Sequence, residues 1–255
     1  MLHQELPPED VYASTKKIRF VLERIARYRR AFNANPKVLD FGCGNGVALG
    51  QYVIGAGVDY VGVDMHAPSL DYARAHFGGP HARFLPEPPT DQRFDILMYS
   101  EVLEHLDDPV GVLRSHVPLL AERGIVLGSI PNGYGLTEIE KYVDRKLHLY
   151  QGLRRVWRGL GRGSRGAAAD PLPYNYASGH VQFFTRGSLE RTVRAAGYRL
   201  AELGNGSVMG ADLSGTTFLR ARPLIELNVR LADYLPAWAA ATWHFQLVRD
   251  EGGLG

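Results

Sequence analysis

Apolar residues in the first half of the chain alternate between two rhythms. From Val11 to Phe32, the residues Val11, Ile18, Val21, Leu22, Ile25 and Phe32 recur at near-helical spacing among Lys, Arg and Glu, which predicts an amphipathic helix. Lys37–Phe41 is a short apolar strand running into Gly42, Gly44 and Gly46, and Val47–Ile54 is expected to be helical. The cycle then repeats, with strand over Val58–Asp64, helix over Ala67–Phe77, strands over Ala82–Leu85 and Phe94–Ser100, helix over Pro109–Leu120 and strand over Gly124–Ile130. Asp108 before Pro109 supplies an N-cap followed by a first-turn proline. Strands and helices of this length in alternation predict an α/β fold whose parallel sheet is covered on both faces.

The rhythm stops at Pro131. Between Arg145 and Arg165 stand seven basic residues and no acid, interleaved with Leu147, Leu149, Tyr150, Leu153, Val156, Trp157 and Leu160. That pattern predicts a basic amphipathic helix within an insertion or lid. Regular structure resumes with a helix over Thr185–Ala196, capped by Thr185, and strands over Tyr198–Leu203 and Thr216–Ala221. The apolar, aromatic run Leu224–Val248 is expected to form one closing helix. Four segments follow: an N-terminal helical segment (1–36), a core (37–130), a lid (131–179) and a C-terminal completion of the core (180–255).

Composition narrows the function classes. The 255 residues suffice for one sizeable core. The 29 glycines and 15 prolines are scattered rather than periodic, which excludes collagen-like and low-complexity chains. A net charge of +2 does not point to a polyanion partner through bulk charge. Cys43 is the single cysteine, no apolar run is long enough to span a membrane, and MLHQELPPEDVY lacks the layout of a signal peptide, so a cytoplasmic location is expected.

The chemistry begins at VLDFGCGNG, Val38 to Gly46. Glycines allow a sharp turn and close backbone approach to a ligand, and the helix that follows offers free N–H groups. The spacing is G-x-G-x-G rather than the G-x-G-x-x-G of dinucleotide folds, and the acid Asp40 beside it would repel a pyrophosphate. It would attract a sulfonium and an ammonium. Asp64 closes the second strand eighteen residues after Gly46, where a carboxylate can accept both hydroxyls of a ribose. From about Lys37 to Tyr198 the chain resembles the class I S-adenosylmethionine-dependent methyltransferases, which implies a Rossmann-like seven-stranded sheet with helices on both faces and an inserted lid. By position the resemblance places Asp40, Gly42, Gly44 and Gly46 along the methionine moiety, Asp64 at the ribose and Met65 near the adenine, with Ser100 a further cofactor contact. Glu87 in LPEPP is a stand-in for the acid that the family often carries near the adenine.

A second cluster lies in SEVLEHLDDP. Glu101, Glu104 and His105, at i, i+3 and i+4, are expected to share one face of a helical turn at the carboxyl end of the fourth strand, and His180 follows the lid. Carboxylates and imidazoles in this number suit a divalent cation, Mg²⁺ or Mn²⁺ for the oxygens. E-V-L-E-H with a later H-x-x-x-F-T-R is similar to two branches of the family, the ubiquinone-type O-methyltransferases and the small-RNA 3′-terminal 2′-O-methyltransferases. The RNA branch implies that Glu101, Glu104, His105 and His180 hold a metal. His180 as a metal-free general base, with Glu101 and His105 beside it, is the alternative, and simple packing is the third reading. Tyr134, Tyr174, Tyr176 and Phe183 are expected to roof the acceptor pocket. The expected activity is O-methylation of a small-molecule hydroxyl. The rivals are 2′-O-methylation of an RNA 3′ end and a non-catalytic S-adenosylmethionine-binding partner, the latter reaching an anionic membrane surface through 145–165.

Overall fold

A computed structural model describes residues 5–135, 179–210 and 221–250, together with Thr137, Glu140, Lys146, Leu147, Leu172, Pro173 and Leu219. Its centre is a seven-stranded sheet in the order β3-β2-β1-β4-β5-β7-β6. The strands are β1 (Lys37–Phe41), β2 (Asp59–Val63), β3 (Ala82–Leu85), β4 (Phe94–Ser100), β5 (Leu120–Pro131), β6 (Tyr198–Asn205) and β7 (Thr242–Arg249). β1 to β5 run parallel to one another, and β7 lies antiparallel to both of its neighbours, β5 and β6. The helices are α1 (Ser14–Phe32), α2 (Gly50–Gly55), α3 (Ala67–Phe77), α4 (Pro109–Ser115), α5 (Arg186–Ala195) and α6 (Arg222–Ala232).

Strand alternation builds two cores. On one face Ile18, Val21 and Ile25 of α1, Val53 of α2 and Leu70 and Ala73 of α3 pack on Val38, Tyr60, Ile96 and Met98. On the other, Leu113 of α4 and Leu189 and Val193 of α5 pack on Leu39, Val61, Leu97, Tyr99 and Val126. Neighbouring strand residues therefore serve opposite cores, as Val38 and Leu39 do, and the near-continuous apolar runs of β1, β2 and β4 follow from burial on both faces.

Several boundaries differ from the expected ones for local reasons. α1 begins at Ser14, after a turn in which the Asp10 carboxylate accepts the Tyr12 and Ser14 N–H groups. α4 stops at Ser115 because Pro118 has no N–H to continue it, and a 3-10 turn over Val117–Leu119 hands the chain to β5. Asp108 and Thr185 do cap their helices: the Asp108 carboxylate accepts from Gly111 N at 2.8 Å and the Thr185 hydroxyl from Ser188 N at 3.1 Å. A single closing helix over Leu224–Val248 does not form. α6 ends at Ala232, Pro236 interrupts the run, and the β-branched and aromatic sequence TWHFQLVR becomes β7, the strand joining β5 to β6. The strand expected over Thr216–Ala221, apart from Leu219 and Ala221, and most of the lid lie outside the described residues. No described helix is long and apolar enough to cross a membrane.

Candidate active site

The strand order reverses between β1 and β4, the place where open α/β sheets take ligands. A cleft of about 260 Å³ opens there at the carboxyl ends of the strands, lined by Phe41, Gly42 and Gly44 after β1, Val63, Asp64 and Met65 after β2, Ser69 and Pro86, and Glu101, Val102, His105 and Leu106 after β4.

The glycine loop is shaped as expected. Gly42, Gly44 and Gly46 take φ of +77°, +55° and +77°, in the left-handed region where other residues are strained. A Cβ on Gly42 would also stand 2.5 Å from Cγ2 of Val102, so this position needs glycine for conformation and for space. Asp64 ties the loop to the second strand, since its Oδ2 accepts from Gly44 N and its Oδ1 from His66 N, both at 2.8 Å. A carboxylate offers about four lone-pair directions, so two remain for a ligand. Met65 is 88% exposed at the cleft wall, an uncovered thioether face of the kind a flat apolar ring can occupy.

Asp40 does not line the cleft. It is buried beneath the loop, where its Oδ2 accepts a 2.6 Å hydrogen bond from the Tyr60 hydroxyl. Burial pushes its carboxyl up to about 7, with the Tyr60 bond and Lys17 pulling the other way and Asp64 adding to the rise. Burial likewise holds the Cys43 thiol protonated, which gives it no nucleophilic character. Gly46 faces Phe77 and Ala73 of α3 rather than the cleft. Ser100 sits on the far side of β4, sharing a 3.1 Å hydroxyl contact with Ser129. Pro86, and not Glu87, reaches the cleft wall.

The acidic cluster departs from a shared helical face. Glu101 has φ +55°, which turns the chain just before a 3-10 turn over Leu103–His105. Its carboxylate lies 3.8 Å from the Lys17 ammonium of α1, at the cleft rim. Glu104 points inward and is fully buried, and neither carboxylate oxygen has a hydrogen-bond partner among the described residues. Burial first, and the nearby Glu101 second, push its carboxyl up to about 9. The carbonyl of Glu104 accepts from Val181 N and Gln182 N at 2.9 and 3.0 Å, pinning the segment after the lid across this turn and bringing His180 beside His105. The two imidazoles meet edge to face at 4.9 Å. Ligand atoms of Glu104, His105 and His180 all lie within 4.8 Å of one another, while Glu101 stands outside that group. Of the four expected metal ligands the fold therefore gathers three. His105 Nδ1 lies 3.0 Å from the Gly179 carbonyl, which can only accept, so Nδ1 carries the proton and Nε2 the lone pair.

Pro173, from the expected lid, sits over the glycine loop: its carbonyl accepts from Asn45 Nδ2 and from the Ser69 hydroxyl, each at 3.1 Å. Tyr134 and Phe183 are exposed and line no part of the cleft, and Tyr174, Tyr176 and most of 145–165 lie outside the described residues. Sequence reasoning missed Lys17 and Tyr60. Lys17 reads as one more surface cation of an amphipathic helix and Tyr60 as an ordinary core residue, so neither carried a signal.

Comparison with known proteins agrees with this geometry. A family profile described as a methyltransferase domain matches residues 12–203. The ubiquinone biosynthesis O-methyltransferase of Glaesserella parasuis serovar 5 is 34% identical over 108 residues, which is 38% of this chain and 45% of that protein, so the match spans less than half of the relative. An S-adenosylmethionine-dependent methyltransferase from Mesorhizobium loti superposes with a TM-score of 0.55 at 14% identity, covering 93% of this chain and 98% of the other. The plantazolicin methyltransferase BamL, solved with a triazolic desmethylPZN analog and SAH, superposes with a TM-score of 0.52 at 16% identity, covering 93% of this chain and 86% of the other. The chain belongs to the methyltransferase-domain family and has the Rossmann-like fold of its S-adenosylmethionine-dependent members.

Proposed function

We propose that the chain transfers the methyl group of S-adenosylmethionine to a hydroxyl of a small-molecule acceptor. The observation that carries this reading is His105, which both lines the cleft beside the glycine loop and stands in one group with the buried Glu104 and the exposed His180. A cofactor with its ribose at Asp64 and its methionine end along Gly42 and Gly44 would present the methyl group toward this group of residues.

Methyl transfer from a sulfonium is an in-line displacement by a strong electrophile, so the protein has to align the partners and unload the acceptor's proton. The acids that line the cleft are Asp64 and Glu101, with Asp40 and Glu104 buried nearby, against the ammonium of Lys17 among the described residues, an arrangement that favours a cationic ligand. A hydroxyl ionises well above neutral pH and needs a base or a Lewis acid. His105 offers the Nε2 lone pair, and His180 a second imidazole beside it. The same three side chains also fit a divalent cation, because the buried oxygens of Glu104 lack hydrogen-bond partners among the described residues and two nitrogens complete a mixed donor set. Glu104, His105 and His180 would then hold it, and when bound it would lower the pKa of an acceptor hydroxyl. The O-methyltransferase name of the relatives supports an oxygen acceptor.

Retention of labelled methyl groups by hydroxylated small molecules, assayed with and without chelator and with Mg²⁺, Mn²⁺, Co²⁺ or Zn²⁺ added back, tests the reading. Turnover is expected to fall by ~10²-fold or more in His105→Ala, the usual scale for losing a general base or a metal ligand. Full activity in chelator assigns the proton to the imidazoles. Label that ribonuclease removes would replace the small-molecule acceptor with RNA.

A further inference from the structure

We propose that the chain carries a second binding site, for a small molecule bearing a phosphate ester, at the end of the sheet opposite the glycine-loop cleft. A cavity of about 370 Å³ opens there at the amino ends of β1 to β4, and its lining includes Lys37, Asp59, His81, Arg83, Gln92 and Phe94. That volume is in the range of small-molecule pockets. The cavity reaches inward as far as Phe94, which is 1% exposed. The five residues of β1 and of β2 separate it from the cleft, a distance of about 15 Å. The two linings share no residue, so the site is independent of where the cofactor sits.

The charges at this end of the sheet are unevenly committed. The acids of the strand ends are engaged: Asp59 Oδ1 lies 2.7 Å from His81 Nδ1, and Asp95 accepts from the Tyr28 hydroxyl at 2.7 Å and from the Lys37 N–H at 2.8 Å. The cations are open. Neither the Lys37 ammonium nor the Arg83 guanidinium makes a hydrogen bond or an ion pair with a described residue. Register sets Lys37 beside Asp59 and Arg83 beside Val61, and strand alternation puts all four on one face of the sheet, with the two cations on either side of β2. Solvated surface cations are common, and these two would not mark a site by themselves. Gln92 makes the difference. It stands just before β4 in the same lining, and its amide nitrogen is buried with no hydrogen-bond partner among the described residues. A buried donor left open costs free energy that an acceptor in the cavity would return.

Donors contributed by β1, β3 and the approach to β4 call for a ligand whose acceptor oxygens point in several directions. A phosphate monoester carries three such oxygens on a tetrahedral centre, whereas a carboxylate has two in one plane. A guanidinium takes two oxygens of such a group in its fork and an ammonium meets it as a point charge. Asp59 is the single acid among the described lining residues, and its Oδ1 is turned to His81. The apolar ring of Phe94 gives the organic part of an ester a surface to cover.

Titration calorimetry of the full chain at physiological ionic strength tests the site, with phenyl phosphate, benzoate and inorganic phosphate as probes, none of which carries the adenosine of the cofactor. Phenyl phosphate is expected to bind one per chain and more tightly than the other two. Lys37→Met, Arg83→Met and Gln92→Leu are each expected to weaken it at least fivefold, while Asp64→Ala, in the distant cleft, leaves it within twofold. Absence of binding, or a loss under fivefold in any of the three pocket variants, overturns the site. So does a loss in Asp64→Ala as large as that in Lys37→Met, which would put the probe in the cleft. Benzoate binding as tightly as phenyl phosphate overturns the phosphate class, and inorganic phosphate binding as tightly overturns the ester. Thermal melting without ligand checks folding, and Lys37→Gln, Arg83→Gln or Gln92→Met, read by the same criterion, replaces a variant that fails to fold.

Discussion

Asp64 offers the most direct perturbation of the site. Its two oxygens each hold one backbone N–H at 2.8 Å, that of Gly44 in the glycine loop and that of His66 at the start of α3. The remaining lone pairs face the cleft that Asp64 lines, and a ribose diol would fill them. Asp64→Asn keeps the volume and removes the charge. It also replaces one oxygen with an NH₂ group, which must confront either Gly44 N–H or His66 N–H donor to donor, or turn that donor on the ribose. No rotamer satisfies all four partners. Loss of a hydrogen bond to a charged group costs about 1.5–3 kcal/mol, which corresponds to roughly ten- to hundredfold in affinity. Calorimetry with S-adenosylhomocysteine should show a loss of that size in Asp64→Asn and at least as large a loss in Asp64→Ala. The fold should tolerate both, since Asp64 is half-exposed and water can take the freed N–H groups. An affinity within threefold of wild type in both variants refutes the placement of the ribose, and a melting temperature that falls in step with affinity would refute the reading that Asp64 acts on the ligand rather than on the loop.

Two further outcomes follow from the loop and its buried acid. Gly42→Ala forces a Cβ to 2.5 Å from Val102 in a residue at φ +77°, and denaturant unfolding should show a loss of about 1–3 kcal/mol with weakened cofactor binding. Asp40, raised from 3.8 to about 7, keeps its proton in the folded chain over a window in which the unfolded chain has released it, so stability falls as pH rises from about 4 to 7. A shift of this size is worth about 4 kcal/mol at most. Unfolding curves should find Asp40→Asn more stable than wild type at pH 8, with no such gain at pH 4; a wild-type pH slope in the variant would contradict this account.

The fold was legible because its signals are local and repeated. Short apolar runs and period-3.6 runs alternate from α1 to β5, and Asp108 and Thr185 announce helices that begin where those residues cap them. The failures occur where a local pattern is ambiguous. Leu224–Val248 is rich in apolar and aromatic residues, and a run of that kind does not say whether it is helix or strand until the edge of β5 is seen to lack a partner. Pro236 was the available clue. The same holds for Glu101, Glu104 and His105, whose i, i+3, i+4 spacing suits a helix that never forms: a left-handed Glu101 and a 3-10 turn send the three side chains to different places.

The site was half legible for a different reason. Motif spacing identifies residues that shape a cleft through backbone geometry, as with Gly42, Gly44 and Asp64, because chain conformation is encoded locally. It cannot identify the electrostatic state of a side chain, which depends on how much water the fold leaves around it. Asp40 was expected beside the ligand and lies underneath the loop, bonded to Tyr60 and carrying a raised pKa. Glu104, expected as one ligand among four, is the most buried of them, and its carboxylate has no hydrogen-bond partner among the described residues. His244 of β7 shows the same burial acting on a base: deep packing, reinforced by Lys17, Lys16 and Arg24, lowers it to about 3 and keeps it neutral. In each case burial opposes the charged form, so with the cleft empty the buried acids hold protons that a free carboxylate would release. A cationic ligand reverses the balance by favouring their ionised forms. Sulfonium binding and proton release from Asp40 and Glu104 are therefore linked, and affinity for S-adenosylmethionine, but not for the uncharged thioether 5′-methylthioadenosine, should rise with pH as these two carboxyls ionise.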